Sequence, residues 1–153
     1  MVKWATILLE LTKFRVAIFS TLSTFAGFIL AQRGLSKEII YPVLGVFFLA
    51  SGSCALNQYQ EWRVDQWMKR TRGRPIPSKK LSTSSALKIS IGLLLMGFTL
   101  LYVKTHWSAF LFGVFAVLWY NGVYTPLKRK SPFAAVPGAL VGAIPPLIGW
   151  ISG

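Results

Sequence analysis

Three polar side chains recur at steps of four residues, namely Asn57, Glu61 and Asp65. On an α-helix each such step turns about 400°, so all three side chains fall within an arc of about 80°. One helix face would then carry an amide and two carboxylates. Hard oxygen ligands of this kind suit Mg²⁺, which usually binds one or two carboxylates together with substrate phosphates. The spacing therefore predicts a magnesium site at these three residues.

Basic residues follow the carboxylates, and aromatic residues are interleaved with both. Guanidinium and ammonium groups bind phosphate oxygens and can screen a leaving diphosphate, while aromatic rings can stabilise a cationic intermediate. The alternative is an ordinary loop whose basic residues follow membrane topology and whose carboxylates merely neutralise them. The basic residues are Lys69, Arg70, Arg72 and Arg74, and the aromatic ones are Tyr59, Trp62 and Trp67.

These residues lie between strongly apolar segments, which must position them. Of the 153 residues, 54% are hydrophobic and only 14% are charged, whereas about one quarter of the residues of a soluble domain are charged. We therefore predict an all-α fold, a multi-pass transmembrane helix bundle. The predicted spans cover approximately residues 14–31, 39–56, 86–103, 108–124 and 132–151, with a cytoplasmic loop at residues 57–85.

Two further helix features follow from the sequence. Residues 1–13 have apolar side chains at helical spacing, which predicts an interfacial helix leading into the first span. Within the fifth span, Pro145 and Pro146 predict a break, because proline removes a backbone donor and clashes with the preceding turn. Such a break would either line a cavity or serve as a packing kink.

The charge distribution predicts membrane orientation. Lysine and arginine number 17 against four acidic residues, for a net charge of +13. The basic residues cluster between apolar runs instead of covering one soluble face, so we expect no nucleic-acid binding. If the N-terminus with Lys3 is cytoplasmic, fourteen of the seventeen lie on the cytoplasmic side. The lack of an Arg- and Ser-rich transit segment favours a bacterial plasma (inner) membrane over a mitochondrial one.

Two sequence blocks carry a family resemblance. Residues 57–75 read N-x3-E-x3-D-x2-M-x-R-T-x2-R-P, and residues 124–129 read YTPLKR. Residues 138–150 then continue as G-x3-G-A-x-P-P-x2-G-W. The first block resembles the first aspartate-rich motif of the UbiA-type intramembrane aromatic prenyltransferases. Glu61, the M-x-R-T continuation and the second block resemble the protoheme IX farnesyltransferase (heme O synthase) branch.

The resemblance implies a reaction and a set of roles. The reaction transfers farnesyl from farnesyl diphosphate to the vinyl group of heme B, giving heme O, at a lipid bilayer and with Mg²⁺ as cofactor. Lys128 and Arg129 would contact the diphosphate or a heme propionate, or would serve as topology anchors. The implied catalytic and metal-binding residues are Asn57, Glu61 and Asp65; the diphosphate-binding residues are Lys69, Arg70, Arg74, Lys128 and Arg129; Tyr120, Asn121 and Tyr124 would line the pocket or pack at the interface.

The chain also departs from the family pattern. Members resemble bundles of nine helices with a second aspartate-rich motif, whereas this sequence has no Asp or Glu after Asp65. It resembles the N-terminal part of such an enzyme, so we expect the isolated chain to be inactive without a C-terminal half. Heme A synthase is a further expected partner. The alternatives are a quinone-type polyprenyltransferase, which Glu61 argues against, and a non-catalytic truncated membrane module.

Overall fold

The computed structural model describes residues 4–153, and within that range it contains helices and no strand. Lys3, which enters the charge count above, lies outside the described residues. The elements are α1 (Trp4–Leu11), α2 (Phe14–Gln32), a 3₁₀ turn (Lys37–Ile39), α3 (Ile40–Asp65), α4 (Thr83–Lys104), α5 (Trp107–Leu118), a π-helical segment (Trp119–Tyr124), α6 (Thr125–Leu127), a second 3₁₀ turn (Pro132–Ala134) and α7 (Ala135–Ser152).

Five helical stretches are long and apolar enough to cross a membrane. Lipid offers no hydrogen-bond partner to the backbone, so apolar segments of this length satisfy their own N–H and C=O groups as helices. The predicted all-α membrane fold is confirmed. The stretches are Phe14–Gln32, Lys37–Asp65, Thr83–Lys104, Trp107–Leu127 and Pro132–Ser152.

The second membrane helix extends beyond the span predicted for it. α3 continues to Asp65 instead of ending near residue 56, so all three motif residues belong to its last turns. The loop that follows folds back on this helix end. The Thr71 hydroxyl donates a hydrogen bond to the Asp65 carbonyl over 3.0 Å, which satisfies one of the carbonyls that a helix end leaves free.

Helix α1 is docked on the end of α3. The Gln58 side-chain amide donates to the carbonyls of Glu10 at 2.7 Å and Leu11 at 3.0 Å, and so binds the last backbone acceptors of α1. A helix is present at Trp4–Leu11, where the sequence predicted one before the first span, and α3 holds it. Its position at the membrane interface stays a prediction. One buried apolar cluster joins the two helices to the loop and to α4, and it consists of Ile7, Leu11, Ala55, Ile76, Leu81 and Ala86.

The first and fifth membrane helices pack at backbone distance. A Cβ atom at Gly27 would overlap the carbonyl of Pro146, and one at Gly149 would overlap the carbonyl of Thr24. Glycine is thus required on both sides of the contact. The predicted break at Pro145 and Pro146 is wrong, since α7 is one uninterrupted α-helix with both prolines inside it. The backbone of α2 contacts this proline turn directly at Gly27.

Candidate functional site

The three motif side chains are buried at one end of the helix bundle. Asn57, Glu61 and Asp65 are 0%, 6% and 4% exposed. Removing two carboxylates from water costs several kcal/mol each unless they are paired. Their surroundings therefore decide what the site can hold.

Each carboxylate is paired with cations from elsewhere in the chain. Arg74 Nη1 lies 2.6 Å from Asp65 Oδ2. Lys128 Nζ lies 2.8 Å from Glu61 Oε2, and Arg129 Nε lies 3.3 Å from Glu61 Oε1. Of the residues predicted to bind diphosphate, Arg74, Lys128 and Arg129 are thus brought to the motif by the fold.

Asn57 is held from two sides. Its Nδ2 donates to Thr125 Oγ1 over 3.0 Å, and its Oδ1 accepts a hydrogen bond from Lys13 Nζ over 3.2 Å. Thr125 in turn donates to the Tyr120 carbonyl over 2.8 Å, across the π-helical segment. π-Helical turns often occur at functional sites because they re-aim side chains.

The sequence did not identify Lys13 as a site residue. It has a left-handed backbone with φ 47° and ψ 56° and stands between α1 and α2. Its position at a membrane boundary predicted only an anchoring role. Burial lowers the pKa of Lys13 below its ordinary value, and the neighbouring cations Arg74 and Lys128 lower it further. Two sequence signals pointed to Lys13: it is a basic residue on the motif's side of the membrane, and the stretch Leu11-Thr12-Lys13 resembles the family.

The remaining basic candidates lie farther out. Lys69 and Arg70 are exposed in the turn that follows α3, and neither pairs with a motif side chain within residues 4–153. Two of the aromatic residues expected near the motif point elsewhere, because they lie on other faces of α3. Tyr59 and Trp62 pack against the cluster that holds α1, while Trp67 is 84% exposed.

An apolar cavity of about 400 Å³ lies beside the motif. Tyr120 and Tyr124 line it, and their rings stack with centroids 5.5 Å apart and an interplanar angle of 22°. Asn121 does not line it but joins the fourth span to the second, since its Nδ2 donates to the Ser53 carbonyl over 3.0 Å. The other lining residues include Val16, Ser20, Val46, Leu49, Cys54, Val141, Ile144, Pro145 and Ile148.

The donor atoms of the motif fit part of a magnesium site. An amide oxygen and two carboxylates are hard ligands, and each already accepts from a cationic group. However, residues 4–153 contain no group of three or more His, Cys, Asp or Glu side chains that would hold a metal ion unaided. Further oxygen ligands, such as those of a diphosphate, would be needed to complete the coordination of Mg²⁺.

Sequence comparison links the chain to known proteins. The profile of the UbiA prenyltransferase family matches residues 20–152. A protoheme IX farnesyltransferase of Bdellovibrio bacteriovorus is 45% identical over 146 residues, which cover 92% of this chain and 50% of that protein. A protoheme IX farnesyltransferase of Opitutus terrae is 40% identical, over 95% of this chain and 50% of that protein. The chain spans about half the length of the curated relatives it matches.

Structural comparison agrees on the fold. A solved structure of digeranylgeranylglyceryl phosphate synthase superposes with a TM-score of 0.89 at 20% sequence identity. The match covers 97% of this chain and 53% of that one. Because the two sequences are so different, this likeness concerns the arrangement of the helices.

Proposed function

This chain belongs to the UbiA prenyltransferase family, and from that premise we propose that it forms the farnesyl-diphosphate-binding part of a protoheme IX farnesyltransferase. The proposed reaction transfers farnesyl from farnesyl diphosphate to the terminal vinyl carbon of heme B with loss of diphosphate. Water then adds to the neighbouring carbon and a proton is released, giving heme O. The likeness to two farnesyltransferases at 45% and 40% identity supports this choice of substrates.

One structural observation carries the proposal: a buried polar motif crowded with cations adjoins an apolar cavity. A prenyl diphosphate has this same division, with a charged head and a hydrocarbon tail. We infer that the head binds at Asn57, Glu61 and Asp65 and that the tail enters the cavity beyond Cys54 and Tyr120. Apolar cavities of a few hundred Å³ with a few convergent polar groups are typical ligand sites.

The proposed roles follow from the contacts. Asn57, Glu61 and Asp65 would hold Mg²⁺ together with diphosphate oxygens, and the metal would supply positive charge for the leaving group. Arg74, together with Lys128 and Arg129, would move from the carboxylates to the departing diphosphate, where guanidinium groups bind two oxygens at once. Lys69 and Arg70, exposed at the rim, would attract the diphosphate from solution. These side chains also keep the leaving diphosphate close to the cytoplasmic face that the charge distribution predicts.

The allylic cation that forms as diphosphate leaves requires an aromatic and dry environment. Within residues 4–153, the stacked rings of Tyr120 and Tyr124 line the cavity wall, where they could stabilise this cation. Heme B would approach from the side opposite the diphosphate, and a C-terminal half with a second acidic motif would complete the metal site. Heme A synthase is the proposed recipient of the product, at a bacterial inner membrane.

A chimera tests the function. Residues 1–153 would be joined to the C-terminal half of the Bdellovibrio relative and expressed in a bacterial host without its own enzyme. We expect heme O in the membranes by mass spectrometry, with none from the Asp65→Ala chimera and none from residues 1–153 alone. A stably inserted chimera that makes no heme O, or that makes a prenylated quinone precursor, would contradict the proposal.

A further inference from the structure

We propose that Lys13 is a further ligand of the substrate diphosphate, supplied by the segment that connects α1 to α2. This rests on the proposed function, because it adds a residue to the same site. Lys13 lies outside the two sequence blocks quoted above, in a Leu11-Thr12-Lys13 stretch that also resembles the family. The fold places it next to the motif.

Two structural features fix the position of the Lys13 side chain. Gln58 binds the last carbonyls of α1 and so ends that helix one residue before Thr12. The left-handed backbone at Lys13 then turns the chain into α2. Non-glycine residues adopt this conformation rarely, and its cost of about 1 kcal/mol or more is borne where the surrounding structure requires it. A lysine that merely anchored a helix end would extend into water, as the exposed Arg15 does.

The charge balance around Lys13 points to an anionic ligand. Arg74, Lys128 and Arg129 each pair with a carboxylate. Lys13 donates only to the neutral amide oxygen of Asn57, and within residues 4–153 it has no ion-pair partner. A partly buried ammonium without a counter-charge is unfavourable. A diphosphate at the motif would supply that charge.

The geometry also connects Lys13 with the cavity. Val16 and Ser20, three and seven residues farther on, lie on the same face of α2 and line the cavity wall. Lys13 therefore stands at the polar end of a stripe that continues into apolar space. A prenyl chain lying along this stripe would place its diphosphate beside the Lys13 ammonium.

Binding of inorganic pyrophosphate tests the inference. The chain in nanodiscs would be titrated with pyrophosphate in the presence of Mg²⁺ by calorimetry. Lys13→Gln keeps a donor for Asn57 and removes the charge, and we expect it to weaken binding about tenfold, the effect of one charge-assisted hydrogen bond. Lys13→Arg should stay within about threefold of the unaltered chain, a difference of under 1 kcal/mol. Arg15→Gln is the matched control and should not change the affinity.

A second measurement needs no variant. An amine-acetylating reagent followed by peptide mass spectrometry reports the accessibility of each lysine. At about ten times its dissociation constant, pyrophosphate with Mg²⁺ should protect Lys13 about tenfold, because only the unbound chain reacts. It should leave Lys37, exposed at the opposite end of the bundle, unchanged.

The outcomes separate this inference from the proposed function. Equal pyrophosphate affinity of Lys13→Gln and the unaltered chain, or acetylation of Lys13 that pyrophosphate does not slow, overturns the role of Lys13 while the proposed function stands. Equal loss in Lys13→Gln and Lys13→Arg also overturns it, because it shows that binding does not depend on a positive charge at this position. If the unaltered chain binds no pyrophosphate with Mg²⁺, the proposed function and this inference fail together.

Discussion

The positive charge around the motif exceeds the negative charge of the motif side chains. Two carboxylates meet four cationic groups, which leaves an excess of two positive charges before any ligand binds. Such a site repels a free divalent cation and attracts an anion. The carboxylates are Glu61 and Asp65, and the cations are Lys13, Arg74, Lys128 and Arg129.

This charge excess predicts that metal and diphosphate bind together. Millimolar Mg²⁺ alone should leave the midpoint of thermal unfolding in nanodiscs unchanged. Mg²⁺ with pyrophosphate should raise it, by up to about 2.7 kcal/mol of stability when the ligand is at 100 times its dissociation constant. Scans with NaCl at the same ionic strength in place of Mg²⁺ serve as the control for ionic strength. Saturable stabilisation by Mg²⁺ without pyrophosphate would contradict the expected coupling.

The sequence predicted contacts between residues that are close along the chain, but not contacts between distant ones. The common face of Asn57, Glu61 and Asp65 follows from the helix period, because all three belong to one helix. Their partners could not be derived in this way. Lys13 reaches Asn57 through a left-handed turn that no local pattern announces, and Thr125 reaches it through a π-helical segment, a rare form without a clear sequence signal.

At the scale of helices, the contact between α2 and α7 is the most demanding. A Cβ atom at Gly149 would enter the backbone of Thr24, which cannot rotate away. Gly149→Ala should therefore lower stability by about 1–3 kcal/mol, the usual cost of overpacking. Gly92→Ala is the matched control, since Gly92 lies in α4 and a Cβ there meets nothing within 4 Å. Thermal unfolding in nanodiscs measures both, and equal midpoints would show that the helices can separate without loss.

The same contact explains where reasoning from local sequence failed. Proline inside a helix removes a hydrogen bond and clashes with the preceding turn, so a break at Pro145 and Pro146 was the local expectation. The neighbouring helix overrides that preference, because Gly27 admits the proline turn at close range. The five spans were predictable because hydrophobic length is a property of each segment alone. Which segments pack together depends on pairs of surfaces that no single segment contains.

At the scale of the whole molecule, the described elements place Lys13, the motif and Lys128 at one end of the bundle. The positive-inside rule predicts that this end is cytoplasmic.

Ser84→Cys and Gly34→Cys would introduce exposed cysteines, which can be labelled, at opposite ends of the bundle. In intact bacterial cells a membrane-impermeant maleimide should label only Gly34→Cys, and permeabilisation should add Ser84→Cys. Cys54 is the single cysteine and is buried, so the unaltered chain gives the background. The reverse labelling pattern would invert the assigned orientation.

The distance along the chain between each carboxylate and its cationic partner determines when the pair can form during synthesis. Asp65 pairs with Arg74, nine residues later, and can be neutralised almost as soon as it leaves the ribosome. Glu61 pairs with Lys128, 67 residues later. At a translation rate of 5–20 residues per second, Lys128 is synthesised about 3 to 13 s after Glu61. Because that lysine arrives at the end of the fourth span, insertion of this span and completion of the anion-binding site become a single event during translation.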